Sequence, residues 1–268
     1  MMKYPEITRL YKYRTFSCQT LKMLARNEIY FAASHCFNDP FECRARKEFE
    51  FKSDPKSIKK MAELEVSQSN QKISLEQAMN YIEEIASDPQ KIKKYLNDKS
   101  DFFQRIVLQS FGIYSLSKKR NDILMWSHYS DGHTGFCIEF NRAENNIFAE
   151  TEEVNYPKDN EFVDVDYLSF QLEKLLEEAI KVVLTKSIHW AYEEEWRIVE
   201  RLPVAEKNYR GHLRTYTDDM LSGIIFGERM DEHSRKTIMD ILNHKPVHFY
   251  EAKRVKNKFE IEIKPVTL

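Results

Sequence analysis

The 268-residue chain sets 41 basic against 43 acidic residues, and its net charge of −2 supplies no global basic field of the kind that draws a protein onto duplex nucleic acid. A composition of 42% hydrophobic and 31% charged residues is that of a folded globule, which excludes a disordered chain. No apolar run approaches the roughly 20 residues of a membrane span and "MMKYPEITRLYKY" has no apolar signal core, so a cytoplasmic protein without membrane contact is expected. Cys18, Cys36, Cys43 and Cys137 form no close pair of zinc-site type and are expected as buried thiols.

In chain order, "EITRLYKYR" reads as a short strand, followed by a helix begun near Ser17 on the spacing of Leu21, Leu24 and Ala25. A second strand, "EIYFAAS", leads to a loop closed by Asn38, Asp39 and Pro40. From about residue 53 to 110 the text turns lysine- and glutamate-rich with helical periodicity, and its Asp-Pro starts suit a capped first turn. This block is expected to be a helical insertion with solvated charged faces that covers or flanks the functional cleft. After the strand "FGIYSL", Asp122 can cap a short helix carrying Ile123, Met125, Trp126 and Tyr129, which Gly132 ends. "GFCIEF" then alternates Phe136, Ile138 and Phe140 against Cys137 and Glu139, the period of a half-buried strand.

A longer helix is expected over residues 167–187 and another at "DEHSRKTIMDILNH". Strands are expected at "GIIFG", "VHFYEAKR" and "KFEIEIKPV", the last with Phe259, Ile261 and Ile263 facing one way. The pattern predicts a single α+β domain over residues 1–268, with a mixed, largely antiparallel sheet and the insertion at about 53–110.

Three constellations carry candidate chemistry. In "YKYR" a strand places Tyr11 and Tyr13 on one face and Lys12 and Arg14 on the other, so that Arg14 presents either a bidentate fork for a phosphate or carboxylate or a surface salt bridge. Trp126 and Tyr129, at helical spacing, either stack on a planar ligand or fill the core. His128 and His133 have no evident third ligand, and no metal is expected. In "YEEEWR" an extended backbone would put Glu193, Glu195 and Arg197 on one face, with Tyr192, Glu194 and Trp196 on the other. Paired carboxylates raise each other's pKa while an arginine lowers it, an opposition common at catalytic acids. A helical backbone would leave Glu193 and Arg197 an ordinary i,i+4 pair.

"LYKYR", "FNDPFE", "MWSHYSDGHTGFCIEF", "HWAYEEEWR" and "IIFG", in that order, resemble the bacterial family catalogued as domain of unknown function twenty-nine seventy-one, from about Leu10 to Phe259, with the helical block as the variable part. The order of parts is also similar to the ADP-ribosyltransferase fold. In that superfamily the first motif holds the NAD ribose or phosphates, the aromatic motif sandwiches nicotinamide, and a late glutamate engages the ribose. The resemblance implies Arg14, Tyr129 and Glu195 in these roles; many members carry a histidine in the first motif, where this chain has Tyr13 and Arg14.

On this reading the chain is an NAD-consuming enzyme, a toxin or defence effector that transfers ADP-ribose to a macromolecular acceptor or to water. Glu195 would stabilise an oxocarbenium-like state and Glu193 deprotonate the acceptor, while Tyr13, Arg14, Trp126, Tyr129 and Arg197 bind NAD. A different class is a non-catalytic nucleotide- or nucleic-acid-binding module, with Arg14 and Arg197 on phosphates and the aromatics stacked on bases. A third is a nuclease with Asp39 and Glu42 on a metal, although Asn-Asp-Pro is first a turn former.

Overall fold

A computed structural model describes residues 3–46, 53–68, 73–166, 172–202 and 209–266 of the chain. The first half runs β1 (Arg9–Arg14), α1 (Cys18–Ala25), β2 (Glu28–Ala33), α2 (Pro55–Gln68), α3 (Leu75–Ala86), α4 (Pro89–Gln109), β3 (Phe111–Ser117), α5 (Ile123–Tyr129) and β4 (Phe136–Asn141). The second half runs β5 (Glu152–Glu153), α6 (Leu172–Val183), β6 (Glu195–Arg201), β7 (Gly211–Thr215), β8 (Leu221–Phe226), α7 (Glu232–Leu242), β9 (His248–Arg254) and β10 (Ile261–Pro265). Residues 167–171 of the helix expected over 167–187 lie outside the described residues, and α6 ends at Val183.

The helix starts are chemical. The Ser17 hydroxyl accepts from the Thr20 N–H while the Ser17 N–H donates to Thr20 Oγ1, closing a capping box. Asp88 accepts at the start of α4 with Pro89 in the first turn, and Asp122 accepts from the Leu124 and Met125 N–H groups.

The strands form one mostly antiparallel sheet, ordered β10-β9-β8-β4-β1-β3-β2-β7, with β6 on β3 and β5 on β6. Its parallel pair, β8 with β9, is joined through α7, so the sheet is mixed and largely antiparallel as expected. Alternation sorts the core into layers. Leu10, Phe136, Ile138, Phe140, Ile224 and Phe226 face α1 and α7, whereas Tyr11, Tyr13, Cys137 and Ile225 face α5. The expectation that β4 is half-buried is corrected: Phe136 to Phe140 are buried on both faces, because helices cover the sheet on each side.

Two further corrections concern packing. Phe259 is 97% exposed; Val255 N–H donates to Glu260 O across the β9–β10 turn, so Phe259 sits in that turn and only Ile261 and Ile263 lie in the strand. Helices α2 to α4 pack with α6 around a separate apolar cluster that includes Cys43, Ala45, Phe111 and Ile113. Their buried stripe is committed there, and none of the described residues between 53 and 109 lines the cleft described below.

Candidate functional site

The sheet forks at β3. One edge of β3 pairs with β6 from Phe111 to Ser117. On the other edge β1 meets it only at Tyr11↔Ser117, while β2 takes over at Ala32↔Ile113 and Ala33↔Gly112. Between these contacts no strand among the described residues pairs with Tyr114 to Leu116 on that side, and a cleft of about 330 Å³ opens in the divergence. Arg14, Tyr129, Glu193, Glu195 and Arg197 all line it, together with Lys186. Arg14, Tyr129 and Glu195, expected to converge despite their separation in sequence, therefore share one cleft.

Its floor is a buried charge network. Glu195 lies at the start of β6 and Arg197 two residues on, on one face of an extended strand; Glu193 belongs to the preceding 3-10 turn, and Glu194 between them takes a left-handed conformation, φ 39° and ψ 55°. The segment is thus neither wholly extended nor helical, yet both carboxylates face inward. Arg197 Nε donates to Glu195 Oε1 at 2.7 Å and Nη2 to Glu195 Oε2 at 2.9 Å, with further bonds to Glu42 and to the Val183 carbonyl. Lys186 Nζ lies 2.6 Å from Glu193 Oε2, 3.1 Å from Glu195 Oε2 and 3.5 Å from Glu42 Oε1. Tyr129 closes the group by donating its hydroxyl to Glu193 Oε1 at 2.6 Å.

The two carboxylates differ in environment. Burial pushes Glu195 upward, but Arg197 and Lys186 outweigh it and hold the carboxyl well below the usual range. Glu193 is raised: burial dominates, Lys186 and Tyr129 oppose it, and the neighbouring Glu195 adds to it. Lys186 is held above its ordinary value, burial being outweighed by Glu195, Glu42 and Glu193. Counting full charges, Glu42, Glu193 and Glu195 face Lys186 and Arg197, which leaves one negative charge in excess when Glu193 is ionised.

The opposite wall is cationic. Lys12 Nζ crosses the fork to the Ser115 carbonyl at 2.5 Å and stands 5.0 Å from the Tyr114 ring centre. Arg14, on the same face of β1, lies beside the Tyr114 hydroxyl. A second cleft of about 670 Å³, lined by Phe41, Phe162 and Trp190 among others, adjoins the first through Asn38 and Lys186.

Other expected site residues are placed differently. Trp126 is fully buried; its indole N–H donates to the Arg120 carbonyl and its ring meets Tyr13 edge-on at 5.1 Å, so it is core and offers no stacking face to the cleft. Tyr13 does line the cleft, but its ring packs edge-on against Trp126 and its hydroxyl donates to the Lys119 carbonyl, because odd positions of β1 face α5. Arg197 lines the cleft floor, but its guanidinium is fully buried and held by Glu42, Glu195 and Val183 O. His133 stacks on Trp126 at 6.3 Å, and Asp39 accepts from the Trp190 indole. Among the described residues no three His, Cys, Asp or Glu side chains gather as a metal site would require. The cysteines divide, with Cys43 and Cys137 buried and Cys18 and Cys36 exposed, which corrects the expectation for the latter two. Among the described residues no helix is long and apolar enough to cross a membrane.

Sequence reading missed Lys186 and the structural role of Glu42. Lys186 follows a lysine-bearing helix and reads as one more solvated charge; the only local hint is that the lysine of "TKSIHW" lies seven residues before Glu193.

Residues 125–198 match the model of a family described as Protein of unknown function (DUF2971). The matched stretch contains Tyr129, Lys186, Glu193, Glu195 and Arg197, whereas Lys12, Arg14 and Glu42 lie outside it. No curated protein and no solved structure matches the chain.

Proposed function

We propose that the chain is an NAD-consuming enzyme of ADP-ribosyltransferase type, acting in the cleft at the fork of the sheet. The observation that carries this reading is the meeting of a cationic wall, Lys12 and Arg14, with the Tyr129 ring and an acidic floor in one cleft. A diphosphate suits the Arg14 fork. Tyr129, its hydroxyl fixed by Glu193, orients a planar leaving ring.

Cleaving the nicotinamide–ribose bond leaves the bond's electron pair on nicotinamide and positive charge on the sugar. An ionised Glu195 and the excess negative charge of the floor favour that charge as it develops. The acceptor oxygen then bonds to the anomeric carbon and gives its proton to Glu193, whose raised pKa makes it a stronger base than a surface carboxylate. The acceptor, a macromolecule or water, enters from the side of the second cleft.

A second reading draws on a specific observation: both Glu195 oxygens already accept from Arg197, as in a structural ion pair. In it the chain is a nucleotide-binding module without chemistry. Nicotinamide release from NAD by the purified protein, with and without a cell extract as acceptor source, separates the two. Binding of NAD without release in either condition supports the module and overturns the enzyme.

A further inference from the structure

Lys12 stands at the point where β1 parts from β3, half-buried, with its ammonium reaching, among the described residues, a backbone carbonyl and an aromatic face. Among the described residues no carboxylate lies within ion-pair distance of Lys12 or Arg14, although both line a cleft whose floor is crowded with carboxylates. Each of the acidic groups is already in ion-pair contact with Lys186 or Arg197. A cation so placed attracts an anion from outside the protein, and its neighbour Arg14 supplies a fixed second charge.

We propose that Lys12 is half of an anion clamp, binding a ligand phosphate between its ammonium and the Arg14 guanidinium. The groups facing it are Arg14 on its own strand, Tyr114 on β3, Cys137 on β4, Glu195 on β6, Glu193 in the turn before β6, and Lys186. Burial, the largest effect, and Arg14 hold the Lys12 amine down at about 7, against the pull of Glu195 and Glu193 and with Lys186 adding to the push. A bound phosphate reverses the balance, because it places negative charge beside the amine. Below about pH 7 the free protein already carries the proton and affinity is flat; above it the proton is taken from solvent, and affinity falls about tenfold per pH unit. An arginine side chain does not titrate in this range, so the slope belongs to Lys12.

The clamp rests on the reading of the cleft as a phosphate-ligand site, and not on turnover. The test is calorimetric titration with ADP-ribose, whose phosphodiesters stay ionised across the neutral range, in buffers of different ionisation enthalpy at about pH 6 to about pH 9. Wild type should take up close to one proton per ligand at the alkaline end. Lys12→Arg should bind with a flat pH profile and no uptake, and Lys12→Met about tenfold or more weakly at acid pH. Acylation of wild-type Lys12 by acetic anhydride, followed by mass spectrometry, serves if a variant fails to fold: its rate should rise with a midpoint near neutrality, and ADP-ribose should protect it. A wild-type affinity flat with pH, proton uptake unchanged in Lys12→Arg, labelling of Lys12 unprotected by ligand, or no ADP-ribose binding at all would overturn the clamp, whether or not NAD is turned over. Binding with proton uptake but without nicotinamide release sustains the clamp and sinks only the transferase reading.

Discussion

Tyr129 donates its hydroxyl to Glu193 at 2.6 Å, tying the aromatic helix to the carboxylate turn across 64 positions of sequence. The bond favours the ionised carboxylate, against the burial that raises it. Tyr129→Phe removes the donor and keeps the ring, so the Glu193 pKa should rise further. If Glu193 accepts the acceptor proton, the acid limb of the kcat/KM profile should move to higher pH, with activity lost on the acid side of the profile. An unmoved limb would remove Glu193 from the proton transfer.

Glu195→Gln tests the electrostatic role, and the structure changes what that variant does to the fold. From sequence it should be benign, since volume is preserved. In place, Glu195 answers Arg197 through both oxygens and Lys186 through one, so an amide directs N–H groups at existing donors. Unfolding in urea should show a loss of about 3 kcal/mol, and nicotinamide release per folded molecule a loss of roughly a hundredfold or more. The pH sign follows from the depressed pKa: the Glu195 contribution to stability is complete above the ordinary carboxylate pKa and is lost as pH falls below it toward the folded value. Glu193 acts in reverse, its raised pKa drawing stability down as pH rises from the ordinary carboxylate pKa through its folded value. Melting scans should therefore show an acid limb in wild type that is shallower in Glu195→Gln.

Arg197 holds two carboxylates and a carbonyl with a fully buried guanidinium, so Arg197→Met strands Glu42 and Glu195 beside a single lysine. Breaking such a group from one side should destabilise by about 3–5 kcal/mol. Arg197→Lys should recover little, because an ammonium cannot reproduce the fork onto Glu195 while also reaching Glu42 and Val183 O. Equal urea midpoints for wild type and Arg197→Met would show that the network contributes nothing to the fold.

Local periodicity made most of the elements readable. The alternation of β1 assigned Tyr11 and Tyr13 to one face and Lys12 and Arg14 to the other, and Asp122 announced α5. What periodicity does not carry is the partner across a sheet. Lys186 and Glu42 become site residues only because α6 returns its end beneath β6 and the Phe37–Glu42 loop lies over the same strand, and neither fact has a local signal. Trp126 and Tyr129 sit three positions apart in one helix and differ in fate because the helix turns one into the core and the other to the cleft rim. The fork is likewise invisible in sequence, since it depends on β1 and β2 competing for one edge of β3.

Gly135 couples this architecture to the cleft. A Cβ there would stand 2.2 Å from the Arg14 carbonyl oxygen and 3.0 Å from that of Ser130, both backbone atoms that cannot swing aside. Its own N–H donates to Ser130 O at 2.8 Å, and the next residue, Phe136, pairs with Arg14 across β1 and β4. Gly135→Ala must therefore push the end of β1 from the start of β4, costing about 2–3 kcal/mol and shifting Arg14 relative to Tyr129. Gly132 provides the control: it has φ +60°, and the nearest atom to an added Cβ is the Arg229 Nη1 at 3.7 Å, so Gly132→Ala meets left-handed strain of about 1 kcal/mol without a clash. Urea denaturation should rank the two in that order, and only Gly135→Ala should also weaken ADP-ribose binding. If both variants lose the same stability and neither loses affinity, the close approach of Gly135 to Arg14 has no part in shaping the cleft.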